Sequence, residues 1–164
     1  MAKHKEEKTN VMRVLDQKKI PYTAHTYDPE SGIDGVSVAR SLGQDPASVF
    51  KTLVARGASG GYYVFDIPVA ATLDLKKAAK AAGVKSVAMI HVADINKVTG
   101  YIRGGCSPVG MKKQFVTVYD ESCLAQQTML VSGGRIGTQI ECAPADLIKV
   151  TRGRTAAITQ EHEA

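Results

Sequence analysis

Two apolar segments rich in β-branched and aromatic residues, 49–55 and 62–67, limit the possible fold more than any other feature of this sequence. The sequence GASGG at residues 57–61 separates them. Two such segments joined by a short glycine-rich loop predict a β-hairpin. We therefore expect the fold to be built around a sheet that contains this hairpin.

Helical patterns alternate with further strand patterns along the rest of the chain. Helices are predicted at 9–19, 36–42, 74–82, 93–98 and 145–149, and strands at 22–27, 87–91, 115–119, 128–131 and 138–142. In the helix at 74–82, Leu75, Ala78, Ala79 and Ala82 share the face predicted to point inward. This interleaving predicts a mixed α/β (α+β) fold with a mixed sheet. Residues 1–164 are expected to form a single domain, with frayed ends at about 1–8 and 159–164.

The composition limits the partners and the location of the protein. The net charge of +5 is compatible with a polyanionic partner, although a solvated basic surface would explain it equally well. The first ten residues, MAKHKEEKTN, have no apolar core of a secretory signal, and no apolar run is long enough to span a membrane. We therefore expect a cytoplasmic protein.

The cysteines and histidines give little support for a metal site. The 3 cysteines are widely spaced and the 4 histidines include no pair at ligand spacing, so no metal or organic cofactor is predicted. Cys123 and Cys142 are interpreted as small core residues. Cys106 lies in a glycine-rich turn beside basic residues, which could lower the pKa of its thiol, so a nucleophilic Cys106 is one hypothesis.

Two glycine-rich turns, GGCSPVG at residues 104–110 and SGG at 132–134, are the most unusual local sequences. Glycine pairs allow positive φ angles and bring backbone N–H groups close to a ligand, where they can bind an anion or an oxyanion. Tight turns with no further role would have the same composition.

Lys51 interrupts the apolar segment 49–55. A lysine in a buried strand needs a carboxylate partner or an anionic ligand, whereas on a solvated strand face it would be ordinary. We expect Lys51 and the two glycine-rich turns to line one pocket.

Several motifs in a fixed order resemble the YbaK/EbsC family. They are FKTL at 50–53, DLKKAAK at 74–80, TGY at 99–101, GGCSPVGMKK at 104–113, VSGGR at 131–135 and IE at 140–141. The resemblance extends from about residue 11 to residue 150. It implies a mixed sheet curled toward a partial barrel with helices around it. It also implies an enzyme that removes cysteine wrongly attached to proline tRNA. The same fold occurs as the editing domain inserted in bacterial prolyl-tRNA synthetases.

The resemblance also implies roles for individual residues. Lys51 would hold the phosphate or ribose of the terminal adenosine and stabilise developing negative charge, and Gly104 and Gly105 would bring backbone groups to the aminoacyl carbonyl. The remaining substrate-binding positions implied are Tyr27, Thr52, Ser107, Gly110, Ser132, Gly133 and Gln139. Two positions depart from the family pattern: Gln139 stands where relatives often carry an acidic residue, and Cys106 where they carry an aliphatic one.

An aminoacyl ester of cysteine brings its own nucleophile. If the pocket folds the cysteine thiolate onto its own carbonyl, the tRNA is released as a thiolactone forms, with orientation supplying much of the acceleration. Two other functions stay open: a deacylase for alanine or serine esters that activates a water, and a non-catalytic module that binds tRNA or a synthetase. The expected partners are the 3′ acceptor end of a mischarged tRNA and, as a second candidate, prolyl-tRNA synthetase.

Overall fold

Strands from distant parts of the chain form two sheets. The computed structural model describes residues 8–160. The strands are β1 Thr23–Thr26, β2 Phe50–Gly57, β3 Tyr62–Pro68, β4 Val87–Met89, β5 Val116–Asp120, β6 Met129–Ser132, β7 Thr138–Cys142 and β8 Arg154–Ala156. The helices are α1 Asn10–Gln17, α2 Gly35–Ser41, α3 Leu75–Ala82, α4 Ile95–Thr99 and α5 Pro144–Thr151.

The larger sheet has the strand order β4-β2-β3-β5-β8, and the smaller has the order β1-β7-β6. The hairpin β2–β3 is antiparallel, as predicted, whereas β3, β5 and β8 run parallel to one another. The mixed α/β class is therefore confirmed. One detail differs from the expectation of a single sheet curled toward a barrel: within residues 8–160 the two sheets meet at one parallel bridge, Val49 to Leu130, and no closed barrel forms.

The helices begin and end at the residues that their capping chemistry favours. In α3, the Asp74 side chain accepts hydrogen bonds from the backbone N–H groups of Lys76 and Lys77, and Gly83 ends the helix at a φ of +77°. Leu75, predicted to face inward, is 43% exposed because it lies at the first helical position, one turn before the buried face. Across residues 8–160, every helix is too short and too polar to cross a membrane.

The larger sheet separates two apolar clusters. Phe65 and Ile67 of β3 pack with the buried alanines of α3 on one face. On the other face, Tyr119 of β5 packs with residues of α1, α5 and the smaller sheet. Cys123 and Cys142 are buried in this second cluster, as predicted. The residue between Phe65 and Ile67 is Asp66, which must point toward the second cluster because strand side chains alternate.

The C-terminal segment is more ordered than predicted. β8 was not predicted, and it extends the larger sheet beside β5. Beyond it, Thr159 pairs with Leu73 and the backbone N–H of Gln160 donates to the Thr72 carbonyl at 2.9 Å. These bonds tie residues 159 and 160, which were predicted to be frayed, to the segment before α3. At the other end, the exposed Lys8 forms an ion pair with Asp16 at 2.6 Å. The rest of the predicted frayed ends, 1–7 and 161–164, lies outside the described residues.

Candidate active site

A cavity of about 380 Å³ opens where the start of β2, the start of α2, the first glycine-rich turn and the end of the β6–β7 pair meet. This volume is at the small end of the usual range for ligand pockets. The lining residues are Ile33, Asp34, Gly35, Val36, Val38, Val49, Phe50, Lys51, Thr52, Leu53, Val69, Arg103, Gly104, Cys106, Ser132 and Gln139. Five residues predicted for the site, Lys51, Thr52, Gly104, Ser132 and Gln139, are thus brought together from four parts of the chain.

Lys51 is half-buried in this cavity. Four consecutive β2 residues can line the cavity because β4 pairs only with residues 55–57 and leaves the earlier edge of β2 open. Burial lowers the pKa of the Lys51 amine, and among residues 8–160 no carboxylate forms a salt bridge with it. A desolvated amine without a carboxylate partner is suited to an anionic ligand or to a developing negative charge.

Thr52 connects the cavity to a buried acid. Its hydroxyl lies 2.6 Å from Oδ1 of Asp66, its direct partner in the β2–β3 register. Asp66 is completely buried, and its Oδ2 has no hydrogen-bond partner among the described residues. Burial raises the pKa of Asp66 to about 8, and the hydrogen bond from Thr52 opposes this rise only in part.

Gly104 belongs to the first glycine-rich turn and lines the cavity. Its φ is +85°, and a Cβ atom there would lie 3.3 Å from side-chain atoms of Ile33 and Ile136. Its N–H has no hydrogen-bond partner within residues 8–160, whereas the N–H of Gly105 donates to the Ile102 carbonyl at 2.9 Å. The open amide predicted for this turn is therefore available at Gly104 but not at Gly105.

Ser132 and Gln139 lie side by side because they are partners in the β6–β7 register. The Ser132 hydroxyl accepts a hydrogen bond from the N–H of Gly134 at 3.2 Å, so its oxygen shapes the turn while its proton stays available to the cavity. Gln139 is only 6% exposed, and its Oε1 has no partner among the described residues. A buried amide oxygen beside a cavity is an acceptor that a bound ammonium or hydroxyl group would satisfy.

Five predicted site residues do not line the cavity: Tyr27, Gly105, Ser107, Gly110 and Gly133. Tyr27 is buried beside the smaller sheet, and the Ser107 hydroxyl accepts from the N–H of Val109 at 3.3 Å. The three glycines are required by close packing instead. A Cβ would lie 3.0 Å from the Arg135 backbone at Gly105, 2.6 Å from Asn10 at Gly110 and 2.7 Å from Thr138 at Gly133.

The contact between Gly105 and Arg135 nevertheless has a consequence for the site. It presses the first glycine-rich turn, 104–110, against the turn that joins β6 to β7. The two turns were expected to meet, and they do so through backbone packing at this point. Gly105 therefore fixes the position of Gly104 relative to Ser132.

Cys106 lines the cavity but has none of the properties of an activated thiol. Burial, with a smaller contribution from the nearby Asp66, raises its pKa to about 12, so the thiol is neutral at physiological pH. Within residues 8–160 no serine, threonine or cysteine is hydrogen-bonded to a histidine; His25 instead pairs with Glu141 at 2.7 Å. This geometry argues against the nucleophilic Cys106 hypothesis.

One wall of the cavity was not predicted from the sequence. Gly35, the first residue of α2, lies so close to Val69 that a Cβ would be 2.3 Å from the valine side chain. This contact places Asp34, the N-cap of α2, at the cavity with Lys51, so the site contains a carboxylate as well as an amine. The sequence shows an Asp-Gly pair at the start of a helix, but it does not show the long-range contact with Val69 that brings this pair to the cavity.

Comparisons with known proteins agree with this architecture. Residues 33–150 match the model of the aminoacyl-tRNA editing domain. The chain is 47% identical over 161 residues to a protein of Enterococcus faecalis named "Putative Cys-tRNA(Pro)/Cys-tRNA(Cys) deacylase EbsC", covering 97% of this chain and 98% of that one.

Two crystal structures share the fold. One, described as "a putative trans-editing enzyme for prolyl tRNA synthetase", has a TM-score of 0.81 at 21% identity, covering 93% of this chain and 96% of that one. The other, of a hypothetical protein, has a TM-score of 0.85 at 23% identity, covering 93% of this chain and 100% of that one. The resemblance inferred from the sequence motifs is thus confirmed, and the chain belongs to the aminoacyl-tRNA editing domain family.

Proposed function

We propose that this protein is a trans-editing deacylase that removes cysteine from mischarged tRNA(Pro). The observation that carries the proposal is the cavity itself, which joins a half-buried Lys51, the Gly104 amide and the Gln139 oxygen. Among residues 8–160, this amide and this oxygen have no hydrogen-bond partner, and no activated nucleophile lines the cavity. Such a site can bind and polarise an ester but must obtain its nucleophile from the substrate or from water. The name and high identity of the Enterococcus faecalis relative support the same substrate class.

Four polar groups of the cavity have a role in this proposal. The Lys51 amine binds the ribose or phosphate of the terminal adenosine, where its positive charge also stabilises the anionic transition state. The Gly104 N–H donates to the oxygen of the scissile carbonyl. The Gln139 oxygen accepts from the α-ammonium group of the amino acid, and the Asp34 carboxylate contributes the negative charge that an amide at position 139 lacks.

The substrate thiol is the proposed nucleophile. Its sulfur attacks the carbonyl carbon of the same cysteine, the bond from that carbon to the ribose oxygen breaks, and the ribose hydroxyl leaves with the proton that the thiol lost. The products are uncharged tRNA and a cysteine thiolactone. Holding the thiol near its own carbonyl lowers the barrier by an amount on the order of several kcal/mol.

This chemistry supplies selectivity that the shape of the cavity cannot. A cavity that admits cysteine also admits the smaller alanine and the isosteric serine, and apolar packing alone distinguishes such groups only weakly. A reaction that needs the thiol rejects both at the chemical step. The alternative, a site that activates a water, predicts comparable release of alanine or serine.

The proposed macromolecular partner is the 3′ acceptor end of the tRNA. A cavity of about 380 Å³ holds the aminoacyl group and its ribose but reads little of the tRNA sequence. We therefore propose that prolyl-tRNA synthetase selects the tRNA. Adding the synthetase to a mixture of cysteine-charged tRNA(Pro) and tRNA(Cys) tests this, because the preference for tRNA(Pro) should rise only in its presence.

A panel of charged tRNAs tests the function. Cys-, Ala- and Ser-charged tRNA(Pro) are incubated with the wild type, with Lys51→Ala and with Lys80→Ala, an exposed lysine of α3 that serves as the matched control. We expect rapid release of cysteine by the wild type and by Lys80→Ala, slow release of alanine and serine, and loss of most of the activity in Lys51→Ala.

Three results would contradict the proposal in different ways. Equal release of cysteine by the wild type and Lys51→Ala would remove the role of Lys51. Equal release of alanine and cysteine would favour an activated water. Salt-sensitive tRNA binding with no release above the buffer rate would indicate a binding module.

A further inference from the structure

Asp66 is a buried acid that the proposed chemistry does not use. Its side chain is completely inaccessible, yet its Oδ1 is 2.6 Å from the hydroxyl of Thr52, which lines the cavity. Its Oδ2 has no partner within residues 8–160. A structural acid in a core normally satisfies both oxygens, so a half-satisfied one directly behind a cavity residue needs an explanation.

Among residues 8–160, the groups that face Asp66 carry no positive charge that would stabilise its ionised form. They are Thr52 from β2, Tyr119 from β5, Cys106 from the first glycine-rich turn and Cys123 from the turn after β5. Burial raises the pKa of Cys106 to about 12, that of Cys123 to about 11 and that of Tyr119 well above its ordinary value, so all are neutral at physiological pH. An unpaired buried carboxylate is costly, and the pKa of Asp66 is accordingly raised to about 8. Asp66 is therefore in its acid form at neutral pH.

The acid form determines which way the hydrogen bond to Thr52 runs. A proton on Oδ2 would have no acceptor, whereas a proton on Oδ1 can be donated to the Thr52 oxygen at 2.6 Å. A buried donor without an acceptor is rarer and more costly than a carbonyl oxygen without a donor. The Oδ1 proton therefore points at Thr52, whose own proton is left free for the cavity. In the ionised form the bond reverses, because a carboxylate can only accept.

We propose that Asp66 is a positioning residue that acts through Thr52: the acid form directs the Thr52 proton to the substrate ester, and the ionised form withdraws it. This inference rests on the proposed deacylase function. It adds a second donor, beside the Gly104 N–H, for the oxygen of the scissile carbonyl. It also makes the donor pattern of the cavity depend on the ionisation of a group that never touches the substrate.

The test is the pH dependence of single-turnover release from Cys-tRNA(Pro), measured between about pH 6.5 and pH 9 for the wild type and Asp66→Asn. The asparagine amide keeps the shape of the acid form and donates to Thr52 at every pH. The amine and thiol of the substrate also titrate in this range, but they affect both proteins alike and cancel in the ratio of the two rates. The ratio of the wild-type rate to the Asp66→Asn rate is normalised to one at pH 6.5. It should fall about tenfold by pH 9, because the acid form of a group with a pKa of about 8 is lost over this range.

Two Thr52 variants keep the proposal testable if Asp66→Asn does not fold. Thr52→Ser retains the hydroxyl, so the ratio of the wild-type rate to its rate should stay constant between about pH 6.5 and pH 9. Thr52→Val has no hydroxyl to redirect, so its rate should be lower, and the ratio of the wild-type rate to its rate should fall about tenfold across the same range, as for Asp66→Asn.

The outcomes separate this inference from the proposed function. An active wild type whose rate keeps a constant ratio to that of Asp66→Asn or of Thr52→Val across this pH range would overturn the role of Asp66 alone. Release no faster than in buffer by the wild type at every pH would overturn the deacylase function on which that role depends.

Discussion

Replacing Asp66 by asparagine should change how the stability of the protein depends on pH. The pKa of this buried acid is about 8 in the folded protein, compared with 3.8 for an ordinary aspartate, so between these values the folded state holds a proton that the unfolded state has lost. Folding is therefore favoured by this group at low pH, and the contribution is lost as the pH rises toward 8. Each pH unit well inside the window corresponds to about 1.4 kcal/mol, so the wild type should lose about 2.5 kcal/mol relative to Asp66→Asn between about pH 5.5 and pH 7.5.

Urea unfolding at several pH values measures this difference. The chain has no tryptophan, so circular dichroism or tyrosine fluorescence must report the transition. Glu121→Gln is the matched control, because it also converts a carboxylate to an amide but at an exposed position. The free energy of unfolding of the control should stay parallel to that of the wild type across the range.

The absolute stability of Asp66→Asn is not the test, because the amide also changes the hydrogen bond to Thr52. The test is how the difference between the free energies of unfolding of the two proteins changes with pH. If the stabilities of the wild type and Asp66→Asn run parallel from about pH 5.5 to pH 7.5, the carboxyl group is ionised in the folded state. Burial would then not raise the pKa of Asp66, whatever reaction the protein catalyses.

Three further substitutions test other parts of the site. Gly104→Ala should lower the single-turnover rate at least tenfold, because a φ of +85° is unfavourable for alanine and the new methyl group crowds Ile33; Gly83→Ala, at a φ of +77° with open space, should carry similar strain but keep the wild-type rate. Cys106→Ser should retain the rate within about threefold, because the thiol is not a nucleophile, and a loss of more than a hundredfold would restore the thiol hypothesis. Gln139→Met should raise KM for Cys-tRNA(Pro) about tenfold, the cost of roughly one hydrogen bond, with a smaller change in kcat; an unchanged KM would remove the proposed contact with the α-ammonium group.

The parts of the fold that could be predicted are those set by local sequence. The hairpin β2–β3 follows from its two apolar segments, and α3 lies between the residues that cap it, Asp74 and Gly83. Lys51 could be predicted to line a cavity because a lysine within an apolar strand needs a carboxylate partner or an anionic ligand. In each case the residues on which the prediction depends lie close together in the sequence.

The parts that could not be predicted depend on contacts between distant segments. In the sequence, Asp66 is an ordinary polar residue of a strand. The β2–β3 register places it beside Thr52, on the face of the larger sheet that packs against the cluster around Tyr119. Asp34 enters the cavity because Gly35 packs on Val69, a contact that no local pattern encodes. The glycine motifs also depend on distant contacts, since a Cβ atom would lie 2.6 Å from Asn10 at Gly110 and 2.7 Å from Thr138 at Gly133.

The central claim is that this site supplies binding and polarisation while the substrate supplies the nucleophile. Comparing Cys-tRNA(Pro) with its S-methylcysteine analogue tests this most directly, because methylation blocks the sulfur and changes the shape of the amino acid by only one methyl group. Competition between the two charged tRNAs shows separately that the analogue is bound. We predict that the protein releases cysteine rapidly but releases bound S-methylcysteine at the rate seen in buffer. Release of both amino acids at similar rates would show that water is the nucleophile and would contradict the account.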